Sequence, residues 1–251
     1  MLQTLHLSHG YDNHTVLNDL NITIEDGGFY AVMGANGCGK TTLLHCLGGL
    51  IRPNQGHVTI AGTDIAALST RQRAKQIALV CQQQYDDFDF TAYDIVMMAR
   101  NAYQRRLSHE SVADRAIVEQ AMRDTATWHL RDRVPRTMSG GERQRTMIAR
   151  ALAQQTPTIL LDEPLSNLDI AHQIEIMELL TAINQQEHKT ILIVLHDLPM
   201  AYHYCPSLLL IDHGSADYIG PMREGLTTQR IERVFGVSTT INESKLTLTY
   251  K

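Results

Sequence analysis

Gly34-Ala35-Asn36-Gly37-Cys38-Gly39-Lys40-Thr41 follows the apolar run Phe29-Tyr30-Ala31-Val32-Met33 and leads into Thr42-Leu43-Leu44-His45-Cys46-Leu47. The spacing is G-x-x-x-x-G-K-[ST], set between a buried-strand pattern and a helix. Small residues let successive backbone N–H groups curl around phosphate oxygens without Cβ clashes. A helix starting near Lys40 aims its positive end at the same oxygens. Lys40 can reach β- and γ-phosphates, and the Thr41 hydroxyl can ligate Mg²⁺. The stretch predicts an α/β core that binds a nucleoside triphosphate with Mg²⁺. Its candidate binding residues are Gly34, Asn36, Gly37, Cys38, Gly39, Lys40, Thr41 and Thr42. Cys38 sits among oriented N–H groups and Lys40, which would favour a thiolate.

The chain has 251 residues, enough to bury a full core, and a net charge of −5, so no overall basic field argues for nucleic acid. The longest apolar runs, such as Ile191-Leu192-Ile193-Val194-Leu195, are too short to span a bilayer. Met1 to His6 lacks the basic-then-apolar pattern of a signal peptide. Cys38, Cys46, Cys81 and Cys205 form no C-x-x-C pair, which fits a reduced, cytosolic compartment. The 12 histidines form no H-E-x-x-H or other metal spacing.

Residues 1–30 alternate apolar and polar positions, as in Leu2, Leu5, Leu7 and Leu20, Ile22, Ile24, and predict a β-rich start. Val58-Thr59-Ile60 and Ile77-Ala78-Leu79-Val80 are further strand candidates. From Thr91 to Arg150 the spacing turns helical. Thr158-Ile159-Leu160-Leu161 and Ile191 to Leu195 are apolar strands separated by an amphipathic helix, His172 to Gln186. Short strands and a helix near Thr227 to Phe235 close the chain. The order predicts one domain over 1–251. Residues 1–82 and 151–251 form a parallel-sheet nucleotide-binding core with an N-terminal antiparallel β part, and 83–150 form an inserted helical subdomain.

The strand 158–161 ends in Asp162-Glu163, the Walker B pattern. Acids at the carboxyl end of a parallel strand face the ligand crevice. Asp162 suits Mg²⁺, and Glu163 suits a general base for an attacking water.

Ser139-Gly140-Gly141-Glu142-Arg143-Gln144-Arg145 resembles the LSGGQ or LSGGE signature of the ATP-binding-cassette (ABC) ATPases, with Met138 at the usual Leu. A Ser-Gly-Gly turn opening a helix offers a second anion site through its free N–H groups. The resemblance covers essentially the whole chain and implies ATP with Mg²⁺ as ligand. It implies that Ser139, Gly140, Gly141 and Glu142 complete the site of a partner cassette. Gln82 looks like the Q-loop glutamine, a Mg²⁺ and water contact, although Gln83 and Gln84 leave the register open. Cys81 stands where Pro is common. Ser166-Asn167-Leu168-Asp169 looks like the D-loop, with Asp169 near the nucleotide. His196 looks like the switch histidine at the γ-phosphate. Tyr11 looks like the adenine-stacking aromatic, with Val16 lining the same base. Gly28 replaces a common Glu, in what reads as a surface turn.

Phe88-Asp89-Phe90-Thr91-Ala92-Tyr93-Asp94-Ile95-Val96-Met97-Met98-Ala99-Arg100 resembles a segment of importer ATPases for iron–siderophore complexes, haem and cobalamin. Asp169-Ile170-Ala171-His172-Gln173 and Leu195-His196-Asp197-Leu198-Pro199-Met200-Ala201 resemble theirs as well. The resemblance implies an ATPase subunit at the cytoplasmic face of the inner membrane. It would pair with itself or a second cassette, bind integral membrane permease subunits, serve a substrate-binding protein indirectly, and bind no nucleic acid. The runner-up is an importer for zinc, manganese or molybdate or an exporter; a soluble non-transport ABC ATPase is a third reading. The aromatics and methionines from Tyr85 to Met98 are expected either to form a docking groove for the permease or to be helix core.

Overall fold

The computed structural model describes every residue except 13, 82–88, 105–109, 167, 243–244 and 249–251. In chain order the strands and α-helices begin with β1 (Leu2–Tyr11), β2 (His14–Ile24), β3 (Phe29–Met33), α1 (Lys40–Leu47), β4 (Gln55–Ile60), β5 (Thr63–Asp64), α2 (Thr70–Arg73) and β6 (Ile77–Val80). The helical stretch holds α3 (Ala92–Met97), α4 (Val112–Asp124) and α5 (Gly140–Ala153). Then come β7 (Thr158–Leu161), α6 (Ile170–Glu187), β8 (Thr190–Val194), α7 (Leu198–Tyr204), β9 (Ser207–Asp212), β10 (Ser215–Pro221), α8 (Met222–Gly225), α9 (Thr228–Phe235), β11 (Thr239–Asn242) and β12 (Lys245–Leu248).

Among the described residues, the sheet that carries the site runs β10-β9-β3-β8-β7-β6. Its members from β9 to β6 are parallel, and β10 is an antiparallel edge. Both faces of β3 are covered, which is why its sequence is an unbroken apolar run. Phe29, Ala31 and Met33 join one core with Ile176, Met177 and Leu180 of α6. Tyr30 and Val32 join the other, with Leu43, Leu44 and Leu47 of α1 and Leu7, Leu17, Leu20 and Ile22 of the first two strands. Those two strands join β4 and β5 in the antiparallel sheet β2-β1-β4-β5.

A third core, with Val96, Met97, Val118, Met122, Leu130 and Met138, belongs to the helical stretch. Residue 150 falls inside α5, which serves two cores. Ile148 and Ala151 pack toward the sheet, whereas Ala149 and Ala153 pack toward α3 and α4. Hydrogen bonds tie this block to the core: the Gln154 amide donates to Ala74 O and Ile77 O at 2.7 and 2.8 Å, and Arg71 donates from Nε to Ala102 O at 2.8 Å and from a guanidinium nitrogen to Gln104 O at 2.6 Å. Within the block, Arg100 pairs with Asp114 at 2.8 Å and donates to Ala153 O at 2.8 Å. Among the described residues no helix is long and apolar enough to cross a membrane.

Candidate active site

Three parallel strands deliver the candidate residues to one edge. Val32 pairs with Val194 and Leu161 with Ile193, so the loop after β3, Asp162-Glu163 after β7 and His196 after β8 lie at the same level. That is the carboxyl edge, where α/β sheets bind ligands.

The loop closes at Gly39, the N-cap of α1, at φ +105°. A Cβ there would come within 2.6 Å of Leu17 Cδ2 and 3.0 Å of Val16 O, so only glycine fits. The same closeness sets Val16 beside the loop. No side chain caps α1, and its first N–H groups face an incoming anion. Lys40 is buried and donates from Nζ to Gly34 O and Ala35 O, both at 2.9 Å. A phosphate would take over these bonds.

Cys38 corrects the expectation of a thiolate. Its Sγ lies 3.8 Å from Lys40 Nζ, yet burial pushes the thiol above its ordinary range, with Lys40 opposing only in part. The expected surface turn at Gly28 is also tighter than its sequence suggests. A Cβ at Gly28 would lie 2.3 Å from the Tyr30 ring, so a larger residue would have to move a buried aromatic.

Asp162 is fully buried, and among the described residues neither carboxylate oxygen has a hydrogen-bond partner of regular geometry. Burial raises its pKa most; Glu163 adds to the rise, while Thr41, His45 and Lys40 favour the charged form. A buried carboxylate left short of donors, beside the Thr41 hydroxyl, fits a hydrated divalent cation. Among the described residues no cluster of three or more His, Cys, Asp or Glu could hold a metal ion alone. Phosphate and water oxygens would therefore complete the shell of a Mg²⁺ held by Thr41 and Asp162.

Glu163 carries its carboxylate on a left-handed backbone, φ +49°, and its Oε1 lies 2.7 Å from His196 Nε2. The pair borders a cavity of about 180 Å³ with Leu165, Ser166, Gln173 and Met200 among its lining residues. Such a carboxylate can take a proton from water, and the imidazole can orient it. Gln82, like Gln83, Gln84 and Asn167, lies outside the described residues.

The other candidates are less convergent. Tyr11, 48% exposed at the end of β1, meets the His9 ring edge-to-face with centroids 4.9 Å apart. Sequence does not single out His9; it is 8% exposed, and among the described residues neither ring nitrogen has a hydrogen-bond partner. Its signal was a polar residue at an inward position between Leu7 and Tyr11. Ser139 caps α5 and accepts from Glu142 N at 3.2 Å, while the Glu142 carboxylate accepts from Ser139 N at 2.7 Å. This capping box holds Glu142 below the usual carboxylate range, chiefly through the Ser139 N–H, and that N–H is therefore not free for an anion. Gly140 and Gly141 form the first turn behind it. Asp169 caps α6. Its carboxylate accepts from His172 N at 3.0 Å and lies 2.8 Å from His172 Nδ1, and the backbone bond does most to lower its pKa.

The chain as a whole is similar to known proteins. The ABC transporter family model matches residues 17–166. The ferric enterobactin transport ATP-binding protein FepC of Escherichia coli is 39% identical, over 92% of this chain and 85% of its own length. The probable siderophore transport system ATP-binding protein YusV of Bacillus subtilis is 38% identical, over 98% of this chain and 89% of its own. Among solved structures, the ADP- and Pi-bound dimer of the ATP-binding cassette MJ0796 superposes with a TM-score of 0.81 at 27% identity, covering 89% of this chain and 99% of that one. The chain belongs to the ABC transporter family, as an ATP-hydrolysing subunit.

Proposed function

We propose that this subunit powers the import of an iron chelate, haem or a related metal complex, and that Glu163 is the base for ATP hydrolysis. The observation that carries the chemistry is the Glu163–His196 contact of 2.7 Å on the edge that bears Lys40 and Asp162. In this reading Lys40 and the N-terminus of α1 hold the β- and γ-phosphates. Tyr11 stacks on adenine and Val16 lines it. Bound Mg²⁺ would neutralise charge developing on the phosphate oxygens. Glu163 accepts the proton of a water whose oxygen attacks the γ-phosphorus, the bond to the β-phosphate oxygen breaks, and ADP and Pi leave. His196 orients the Glu163 carboxylate and the γ-phosphate. Gln82 joins the water, and Ser139, Gly140, Gly141 and Glu142 of a second cassette close the site together with Asp169.

The cargo reading is supported by the relatives. FepC and YusV carry ferric enterobactin and siderophore transport in their names, and the hemin import ATP-binding protein HmuV of Bordetella pertussis is 34% identical over 94% of this chain. In the same reading the subunit sits on the cytoplasmic face of the membrane through permease subunits, which a substrate-binding protein supplies. The helical stretch 83–150 would be the arm that meets them. Phe90 and Met98 are exposed there, while Met97 is helix core with Tyr93 packed on it.

Glu163→Gln tests the chemistry. It should keep ATP binding, lose most hydrolysis, and leave an ATP-held dimer visible by size-exclusion chromatography. Near-normal turnover would remove Glu163 from the role. Growth of a deletion strain on single iron sources, restored by the wild-type subunit and not by Glu163→Gln, tests the cargo.

A further inference from the structure

The motif Asp169-Ile170-Ala171-His172-Gln173 ends in a glutamine that has no task in the proposed ATP hydrolysis. Its surroundings supply one. Glu163 is a non-glycine residue held at φ +49°, a conformation that persists only where neighbours over-determine it. Its carbonyl accepts two bonds from one residue, Ser166 Oγ at 2.8 Å and Ser166 N at 3.2 Å. A second turn follows at once, with Leu168 N donating to Leu165 O at 3.3 Å. Leu165 and Leu168 are buried in the sheet core with Ile176 and Leu198. Gln173 Nε2 donates to both Leu165 O and Leu168 O at 3.2 Å.

Gln173 occupies the first turns of α6, the helix that Asp169 caps, and its own N–H bonds Asp169 O at 2.9 Å. One side-chain amide thus joins a rigid helix to the two-turn loop that starts at the strained glutamate. Gln173 also borders the cavity that Glu163 and His196 share.

We infer that Gln173 is a positioning residue for ATP hydrolysis: its amide clamps the carbonyls of Leu165 and Leu168 and so holds Glu163 in the left-handed conformation that aims its carboxylate at His196. The inference rests on the reading of Glu163 as the base. It separates Gln173 from a simple packing residue, because it concerns only the donors of the amide. A methionine fills nearly the same volume with no donor: Leu168 O loses its bond from the amide, and Leu165 O keeps only the longer one from Leu168 N. The loop then relaxes around Glu163, and a shift of about 1 Å in a reacting group costs on the order of 10²-fold.

The experiment is steady-state ATPase kinetics on Gln173→Met, Ser166→Ala and Glu163→Gln, with nucleotide binding measured separately by a fluorescent ATP analogue. For Gln173→Met the inference expects kcat to fall about 10- to 100-fold, with KM for ATP within about twofold and analogue binding retained. Ser166→Ala, which removes the hydroxyl at the other end of the same loop, should fall in the same direction. Amide hydrogen exchange should quicken at Ser166 and Leu168 in Gln173→Met while β8 stays protected. In a Glu163→Gln background Gln173→Met should change the residual rate little, since the group it positions is gone.

Wild-type kcat in Gln173→Met, or a kcat loss of full size in the Glu163→Gln background, overturns the inference alone. Near-normal turnover in the Glu163→Gln single variant overturns the base reading, and the inference falls with it.

Discussion

Asp162→Asn should make the nucleotide-free protein more stable while it makes the enzyme worse. The carboxylate is fully buried, and among the described residues neither oxygen has a regular hydrogen bond. A buried polar group left unpaired costs about 1–3 kcal/mol. Asn keeps the shape and loses the charge, and its amide can donate to the Thr41 hydroxyl oxygen. Taking about 2 kcal/mol as the gain, Tm should rise by roughly 4–8 °C for a domain of this size. The pH dependence has a definite sign. Burial, the main cause, raises the Asp162 pKa above 3.8 in the folded state, so the unfolded chain gives up its proton first and the native state loses stability as pH rises through that window. The variant's advantage is therefore small near 3.8, grows as pH rises through the raised native value, and is complete above it. The assay is thermal unfolding by circular dichroism at about pH 5 and pH 8, each with and without MgATP. Wild type should gain more from MgATP than the variant does. An Asp162→Asn protein that melts at or below the wild-type temperature without nucleotide at the higher pH would refute the reasoning, since the buried charge would then be satisfied by something else.

Arg100→Met leaves Asp114 buried without its partner; the pair is 6% and 11% exposed. The loss should be about 3–5 kcal/mol, read as a lower Tm, and Arg100→Met with Asp114→Leu should recover most of it; no recovery would mean that the bond to Ala153 O matters more. Cys38, raised by burial, should react with iodoacetamide more slowly than a free thiol at neutral pH, and Cys46, pushed up to about 11, should also be slow; labelling of Cys38 faster than the free thiol, followed by mass spectrometry, would contradict the burial argument. Phe90→Ala and Met98→Ala should weaken copurification with the permease subunits while ATP binding is kept, and normal copurification would move the docking surface elsewhere.

The elements that sequence reasoning located best are those buried on both sides. Thr158–Leu161 and Phe29–Met33 coincide with β7 and β3, because parallel central strands need unbroken apolar runs. The strand read as Ile191 to Leu195 is Thr190–Val194, since Thr190 N already bonds Pro157 O in the sheet. The helix read from His172 starts at Ile170, where the Asp169 carboxylate supplies the cap. The first two strands were legible only as a β-rich region. His6 and Asp19 take φ +50° and +47° beside shifts in the β1–β2 register, and no residue type there announces a bulge. Alternation carries a strand signal, but it cannot say where the alternation slips.

At the site, what could be read were charges and spacings, and what could not were desolvation and carbonyl geometry. Cys38 shows the first limit. Its neighbours in sequence argue for a thiolate, and Lys40 does act in that direction, but packing among Gly34, Lys40 and Ile211 removes water, and burial outweighs the lysine. The Ser139 turn shows the same kind of error in miniature. Its N–H looked open in the sequence, yet Glu142, three residues on, returns its own carboxylate to it. That signal was present, since S-x-x-E is a capping box as much as a signature motif. Gln173 marks the second limit. Its partners are the main-chain oxygens of Leu165 and Leu168, and carbonyl direction depends on two successive turns that begin at a glutamate with positive φ. Residue identity says nothing of that conformation, because Glu is not among the types that favour it. The positive φ at Glu163 is thus visible only once the backbone is in view, and so are the amide bonds to the loop that follows it.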